Sequence, residues 1–227
     1  MAGSGSVLML YGLAHGRINC DHIFNLLCSY GNVLKVKILM SKPGTAMAHL
    51  DAPQGAKNAI HHLHGRKLLG QTLELNYSRH SYIADYSQGG TLPDGNPCWK
   101  DFSQSRNNRF LTAEGTSKNR IICPGKILHF YNAPPDSTTE SLNEVFTKVG
   151  AQAPLGIKFF SQGPSTKSCT GLIEWPDQEA VLDAFVLTNH QTIYSQNGQA
   201  YTFKMAFSNN TSLEQHVAGQ GQMREPL

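Results

Sequence analysis

The chain has 227 residues, enough for two domains that each bury a core. Charged residues make up only 15% of it, and the net charge of +3 permits an anionic partner without requiring one. The five cysteines show no C-x-x-C spacing, which favours reduced thiols in an intracellular protein over a disulfide framework. No apolar run approaches the roughly 18 residues that would indicate a membrane span.

The first half predicts the order β-α-β-β-α-β. Apolar alternation predicts strands at 7–13, 34–40, 45–50 and 72–78, and helical spacing predicts helices at 20–30 and 54–63. Asn19 is the expected N-cap of the first helix, and Gly31 its expected C′ glycine. This order is the split βαβ arrangement, an α+β fold in which both helices cover one face of a four-stranded antiparallel sheet.

The second half repeats the first. Strands are predicted at 127–132, 157–161, 170–175 and 201–208, and helices at 139–149 and 178–187. Ser137 and Glu140 have the spacing of a capping box, Gly150 is expected to end that helix, and Asn197-Gly198 indicates a turn. The two final strands share one pattern, Thr72 to Ser78 and Thr202 to Ser208. A module used twice suits a polymeric ligand that can contact both copies.

The predicted organisation has five parts. Residues 1–6 are a flexible lead or expression scar, 7–80 the first domain, 81–125 a linker, 126–210 the second domain, and 211–227 a disordered tail. The linker is rich in Ser, Asn, Gly and Arg, yet Trp99, Phe102 and Phe110 are spaced through it. One interpretation is a disordered linker with incidental aromatics. The other, which we favour, is that these rings anchor the segment onto one or both domains.

Strand alternation assigns side chains to the sheet face that the helices leave uncovered. With Leu8, Leu10, Ala46, Ala48 and Leu50 inward, Thr45 is among the side chains expected to point outward. Rings, thioethers, lysines and small polar groups on one face suit unstacked bases. The candidate RNA-binding residues are Met9, Tyr11, Lys35, Lys37, Met47, His49, Asn76, Ser78, Arg79 and His80 in the first domain, and His129, Tyr131, Lys158, Phe160, Leu172, Glu174, Lys204 and Ser208 in the second.

The chain resembles the RNA-recognition-motif family. Residues 8–13 and 43–50 occupy the places of its two ribonucleoprotein motifs, as do 128–133 and 168–175 in the second half. The usual stacking aromatics are replaced by Met9, Thr45 and Met47, and by His129, Thr170 and Leu172. Such degenerate motifs resemble the polypyrimidine-tract-binding branch. Within it, residues 33–37, 99–103, 105–110, 128–134 and 171–175 are similar to the heterogeneous nuclear ribonucleoprotein L group, specifically its two C-terminal motifs and the segment joining them.

The resemblance implies nuclear pre-mRNA binding, splicing regulation and two motifs packed through their helical faces. The implied partners are single-stranded RNA, CA-rich or pyrimidine-rich, and other splicing proteins. We expect no catalytic residue, cofactor or metal ion. His61, His62 and His64 are interpreted as a solvated helix face, because no Cys or carboxylate cluster accompanies them.

Two other function classes remain open. The first is a tandem pair used for protein–protein contact, although the Arg-x-Phe signature and acidic first helix of peptide-binding variants are not apparent. The second is an acylphosphatase-like enzyme on the same scaffold, which needs a glycine-rich anion loop with a placed arginine. The segment from Ala14 to Arg17 resembles such a loop only weakly.

Overall fold

The computed structural model describes residues 5–85, 90–161 and 166–213, and the chain separates into two compact units between Ile121 and Ile122. Most of the predicted lead and most of the predicted disordered tail lie outside the described residues. Among the described residues, no helix is long and apolar enough to cross a membrane.

The first unit has the predicted element order with additions. Its elements are β1 (Val7–Tyr11), α1 (Cys20–Leu27), β2 (Val33–Ile38), β3 (Ala46–Leu50), α2 (Pro53–Leu63), β4 (Lys67–Leu68), β5 (Gln71–Thr72), β6 (Glu74–Tyr77), β7 (Trp99–Asp101) and α3 (Ala113–Lys118). The antiparallel sheet has the order β6-β1-β3-β2-β7, so the linker contributes a fifth strand. The predicted inward residues Leu8, Leu10, Ala46, Ala48 and Leu50 are all buried in the core.

The second unit repeats the plan with a four-stranded antiparallel sheet of order β13-β8-β10-β9. Its elements are β8 (Ile127–Ala133), α4 (Thr139–Thr147), β9 (Gly156–Phe159), β10 (Cys169–Glu174), α5 (Gln178–Thr188), β11 (Thr192–Tyr194), β12 (Ala200–Thr202) and β13 (Lys204–Phe207). The strand predicted at 201–208 is divided in two at Phe203. Its first part forms a hairpin with β11 through the predicted turn, where Gly198 has a φ of 82°.

Hydrogen-bonding side chains determine where the first helix of each unit begins. Asn19 caps α1 as predicted, accepting a hydrogen bond from the His22 N–H, while His22 Nδ1 accepts one from the Asn19 N–H. The capping box predicted for Ser137 and Glu140 is wrong by one residue. Thr138 is the N-cap, and its hydroxyl and that of Ser141 exchange hydrogen bonds with each other's backbone N–H groups.

Gly31 is not the predicted left-handed C′ glycine. Helix α1 ends at Leu27 with Cys28 as a right-handed C-cap, and Gly31 has no positive φ. The glycine is required by close packing instead, since a Cβ there would lie 2.8 Å from the Gly55 Cα at the start of α2. The predicted role of Gly31 as a helix C′ glycine is therefore wrong, and the glycine is needed for the close approach of two backbones.

Part of the segment between the repeats is fixed to the first unit. Strand β7 pairs with β2, and Phe102 is 5% exposed and stacks on Phe24 of α1 with ring centroids 4.5 Å apart. Further along, the Phe110 N–H donates to Asn32 Oδ1 at 2.9 Å. The five-stranded sheet therefore includes a strand from outside the βαββαβ repeat.

Candidate nucleic-acid interface

The first open face is the side of the first sheet opposite α1 and α2. Its central cross-strand row runs over all five strands in direct register, and its members are Asn76, Met9, Met47, Lys37 and Trp99. Directly opposed side chains in an antiparallel sheet lie about 4.5–5.5 Å apart at Cβ, so they form one continuous surface. Tyr11 lies at one end of this face and is exposed, while His49 and Lys35 lie at the other.

Trp99 is a member of this face that sequence reasoning assigned only to anchoring. Its register partner is Lys37, which places the indole at the outer edge of the row, and it is half-buried with its Nε1 enclosed. The signal that could have identified it is alternation, because a strand at 99–101 places Trp99 and Asp101 on the same side as Lys37 and Lys35. The segment was too short and polar for that pattern to be recognised.

Carboxylates partly neutralise the lysines of the first open face. Lys35 Nζ is paired with Asp85, and Asp101 lies directly opposite Lys35. The hydrogen bond that Lys35 donates to Asp85 is the main cause of the raised pKa of Lys35. Desolvation, followed by repulsion from Lys35, lowers the pKa of His49. This face therefore offers a phosphate less positive charge than its lysines suggest.

The segment after β6 crosses one end of the first open face. The Ser78 N–H donates to the Val7 carbonyl on β1, and seven residues later Asp85 reaches Lys35 on β2. Ile83 between them is 3% exposed, and Val7, which alternation places on this face, is fully buried. Arg79 and His80 are exposed within this crossing segment. The face is thus covered at the Val7 end and uncovered toward Tyr11.

The second open face carries a cluster of rings. The His129 ring lies 5.8 Å from Tyr131 and 5.7 Å from Phe160, centroid to centroid. The Thr170 hydroxyl donates to the Phe130 carbonyl at 2.7 Å, so at its 2.9 Å contact with His129 Nε2 the imidazole is the donor. This contact fixes the tautomer and the orientation of the His129 ring at the centre of the cluster.

Two lysines flank this ring cluster. Lys204 is the register partner of Tyr131, and Lys158 is the partner of Leu172, which in turn opposes His129. Phe160 faces the open side together with them, while its neighbour Phe159 packs edge-on against the core ring of Phe130. Flat rings flanked by cations are the surface that single-stranded nucleic acid requires.

Leu172 corrects the expected set of accessible residues. Its register places it on the second open face, but it is only 2% exposed. It lies one row away from Glu174, which accepts a hydrogen bond from the Leu213 N–H, and Leu213 also closely approaches Gly156 on β9. Residues 208–213 thus cross the covered end of the second face as 78–85 cross the first. Leu172 is buried beside this crossing segment and between its register partners His129 and Lys158.

The serine that ends each repeat makes a turn. Ser78 Oγ accepts from the His80 N–H at 3.0 Å, and Ser208 Oγ accepts from the Asn210 N–H at 3.2 Å. In both units this turn directs the chain back across the open face. The repeated serine therefore has a conformational role that the sequence pattern did not reveal.

Thr45 is not accessible on the open face as expected, because it is buried. It precedes β3, where its N–H donates to the Lys42 carbonyl and its own carbonyl accepts from the Leu39 N–H. These bonds close the turn between β2 and β3.

His64 and Cys20 have structural environments. His64 Nδ1 accepts from the Leu75 N–H at 3.2 Å, which joins the end of α2 to β6. Burial raises the pKa of the Cys20 thiol to about 12, so at neutral pH it is not a nucleophile. Among the described residues, no cluster of three or more His, Cys, Asp or Glu side chains could hold a metal ion.

Comparison with known proteins identifies both repeats. A family model described as RNA recognition motif (also RRM, RBD or RNP domain) matches residues 1–105, and a second, described as RRM domain, matches residues 118–212. The chain is 42% identical over 203 residues, 89% of its length, to heterogeneous nuclear ribonucleoprotein L from Homo sapiens and from Mus musculus. The predicted resemblance is thereby confirmed. The chain spans about a third of the length of these relatives, 34% in both cases.

Two solved structures show more distant similarity. One is titled as a SXL-lethal protein/RNA complex, is 14% identical over 90% of this chain and 100% of the other, and has a TM-score of 0.31. The other is the Rna15 RRM with bound RNA (GU), 21% identical over 35% of this chain and 89% of the other, with a TM-score of 0.33.

Proposed function

The chain belongs to the RNA recognition motif family, and we propose that it binds single-stranded RNA through its two open sheet faces. The observation that carries this proposal is the ring cluster in which Tyr131 and Phe160 each lie within 6 Å of His129, along a face that also presents Lys158 and Lys204. A stacked base is stabilised by about 1–3 kcal/mol on such a ring. No step of this function is enzymatic.

The first open face is proposed to bind more weakly than the second. It replaces rings with the thioethers of Met9 and Met47, and Asp85 and Asp101 compete with phosphate for Lys35. Tyr11, at the uncovered end of β1, and Trp99, on the edge strand β7, remain as its aromatic contacts. Tethering to the second unit compensates for such weakness, since linked sites gain about 10²- to 10⁴-fold in avidity when one ligand reaches both.

The RNA class and cellular role follow from the resemblance. We propose that the target is a CA-rich element of pre-mRNA. Its affinity should be compared with that of pyrimidine-rich RNA, the alternative ligand. The same resemblance supports splicing regulation in the nucleus, with other splicing proteins as further partners. These proposals apply only to the part of the relatives that this chain matches, about a third of their length.

The decisive experiment replaces Met9, Met47, His129 and Tyr131 together with alanine. Fluorescence anisotropy with a labelled CA-repeat oligoribonucleotide should show a loss of affinity of at least about 100-fold, because stacking surface is removed from both faces. A matched control replaces the exposed Leu111, Leu155 and Tyr194, none of which is assigned to either open face. Unchanged RNA retention by the face variant, with its unfolding transition intact, would exclude the proposed function.

A second experiment tests the use of two faces. An oligonucleotide with two CA-rich sites joined by a spacer should bind more tightly than one with a single site, because the second contact becomes intramolecular. Equal affinities would show that one face alone binds.

A further inference from the structure

A cavity opens at the uncovered end of the first unit, where β1 leads into α1 and β2 turns into β3. This loop cavity encloses about 280 Å³. Its walls are formed mainly by apolar side chains, including those of Leu13, Ile18, Met40 and Leu92, and Asp94 lies among its lining residues. The volume is just below the range of about 300–1,000 Å³ typical of whole small-molecule sites, and it suits one flat ring better than a complete cofactor.

The loop cavity adjoins the uncovered end of the first open face. Leu13 lies two residues beyond Tyr11, while Leu39 and Thr45 close the turn that joins β2 to β3. The other end of this face is crossed by residues 78–85, which bury Val7. Along the strand direction, the face is therefore covered at the Val7 end and uncovered at the end where the cavity lies.

The polar side chains that line the cavity include His15 and Asp94, and the Asp94 carboxylate is held by hydrogen bonds. Asp94 Oδ2 accepts from Asn19 Nδ2 at 2.9 Å and from Asn96 Nδ2 at 2.9 Å, and Oδ1 accepts from the Asn96 N–H at 3.0 Å. Although desolvation opposes them, these hydrogen bonds lower the pKa of Asp94. Among the described residues that line the cavity, none is a lysine or an arginine. A phosphate is thus disfavoured there, and a neutral group with a hydrogen-bond donor is favoured.

We propose that the loop cavity receives one adenine or cytosine base from the RNA strand that lies on the first open face. The inference rests on the proposed function and extends it by one nucleotide subsite beyond the sheet. Apolar walls contact the two faces of the base, and Asp94 accepts a hydrogen bond from its exocyclic amino group. Carboxylates pair in this way with the N4 amino group of cytosine.

The same chemistry discriminates against uracil. Uracil has no exocyclic amino group, and its N3–H donor lies between two carbonyl oxygens that a carboxylate repels. The subsite therefore selects amino-bearing bases rather than accepting any ring.

Nucleosides without phosphate test the cavity directly. Titration of the full chain with adenosine or cytidine should shift the amide resonances of Gly16 and Gly44, which line the cavity, and uridine should not. The variant Ala14→Met, which fills the cavity from its wall, should abolish these shifts. Its matched control, Ala153→Met, changes an exposed alanine in the other unit and should retain them. Absence of shifts with every nucleoside overturns the subsite and leaves RNA binding by the sheet faces untouched.

Oligonucleotide binding provides the second measurement. Ala14→Met should weaken binding of a CA-repeat RNA by at least about 5-fold, the smallest effect expected from losing one stacked base. Asp94→Asn keeps the shape of the side chain and should reduce the preference for adenosine and cytidine over uridine. If Ala14→Met leaves RNA affinity unchanged while an apolar peptide shifts Gly16 and Gly44, the cavity binds a protein side chain and the proposal is wrong.

Discussion

Phe102 stacks on Phe24 with the two rings only 18° from parallel, although one belongs to the joining segment and the other to the first helix. Lys100, two residues before Phe102, is paired with Asp21 at 2.7 Å on the same side of the sheet. These contacts hold β7 against the edge of β2, where the Phe102 N–H donates to the Leu34 carbonyl. Contacts on the helical side of the sheet thus hold the fifth strand in place. The other side of this strand belongs to the open face.

Replacing Phe102 with alanine should destabilise the first unit by about 3–5 kcal/mol, the usual effect of removing a buried phenylalanine. The midpoint of urea unfolding should fall, and amide hydrogen exchange should accelerate in β2 and β7. Phe110→Ala is the matched control, because Phe110 is only half-buried, and its effect should be smaller. Equal losses for the two variants would show that the stack does not anchor the strand.

Asn108 should be nearly as important to the first unit as Phe102. Its Oδ1 accepts from the Val33 N–H at 2.8 Å, and its Nδ2 donates to the Val33 and Phe102 carbonyls at 3.0 Å each. Asn108→Ala leaves these buried groups unsatisfied and should cost about 2–4 kcal/mol. Asn107→Ala, at the adjacent half-buried position, should cost less than about 1 kcal/mol in the same urea titration. A neutral Asn108→Ala would refute this account of the β2 edge.

Periodicity was sufficient to predict the repeat and its core. Leu8, Leu10 and Ala48 alternate with outward residues over whole strands, and the second half repeats the pattern with Leu128 and Phe130. Such regular burial leaves one consistent register, because a slip by one residue would expose the entire apolar set. The inward residues of both sheets could therefore be read from the sequence.

Features that depend on distant contacts could not be read in this way. Val7 and Leu172 alternate as outward residues but are buried, because segments after the final strands pass over or beside them. Similarly, β7 has only three residues and is stabilised by Phe24 and Asp21, which local sequence does not connect to it. Tertiary contacts decide such positions, and no local period predicts them.

The capping box of α1 should make the first unit sensitive to acid. His22 Nδ1 accepts a hydrogen bond from the Asn19 N–H, and burial, the largest influence, lowers the pKa of His22 below its ordinary value of 6.5. The unfolded chain therefore binds this proton more readily than the folded one. The stability that His22 contributes is complete above pH 6.5. It is lost as the pH falls toward the pKa that His22 has in the folded state.

His22→Gln should flatten this dependence, because glutamine does not titrate and can still accept at the third helical position. Urea unfolding at about pH 7 and about pH 5 measures the slope for each protein. The control His61→Gln replaces an exposed histidine on α2 and should leave the slope close to that of the parent. An unchanged slope in His22→Gln would mean that protonation of His22 does not act on the cap.

Phe160 should dominate binding at the second face together with Tyr131. Loss of one stacking ring is expected to weaken RNA binding by roughly 5- to 150-fold, the equivalent of about 1–3 kcal/mol. Phe160→Ala should show this loss by anisotropy with little change in unfolding, since the ring is only half-buried. Leu155→Ala, an exposed apolar residue just before β9, is the control. Equal RNA affinities of the two variants would argue against the ring cluster as a stacking platform.

Asp85 should act as a competitor of phosphate at the first face. Its ion pair occupies Lys35, and removing the negative charge with Asp85→Asn leaves that ammonium available to RNA. Affinity for a CA-repeat oligonucleotide should rise, and the plot of log K against log salt should steepen by about 0.7, the equivalent of one additional phosphate contact on a single strand. Glu144→Gln removes a comparable ion pair to Lys148 on α4 and should change neither quantity. Because the first face is bounded by the crossing segment at this end, a steeper slope would also place the RNA backbone beside residues 78–85. An unaltered slope would show that the strand does not reach Lys35.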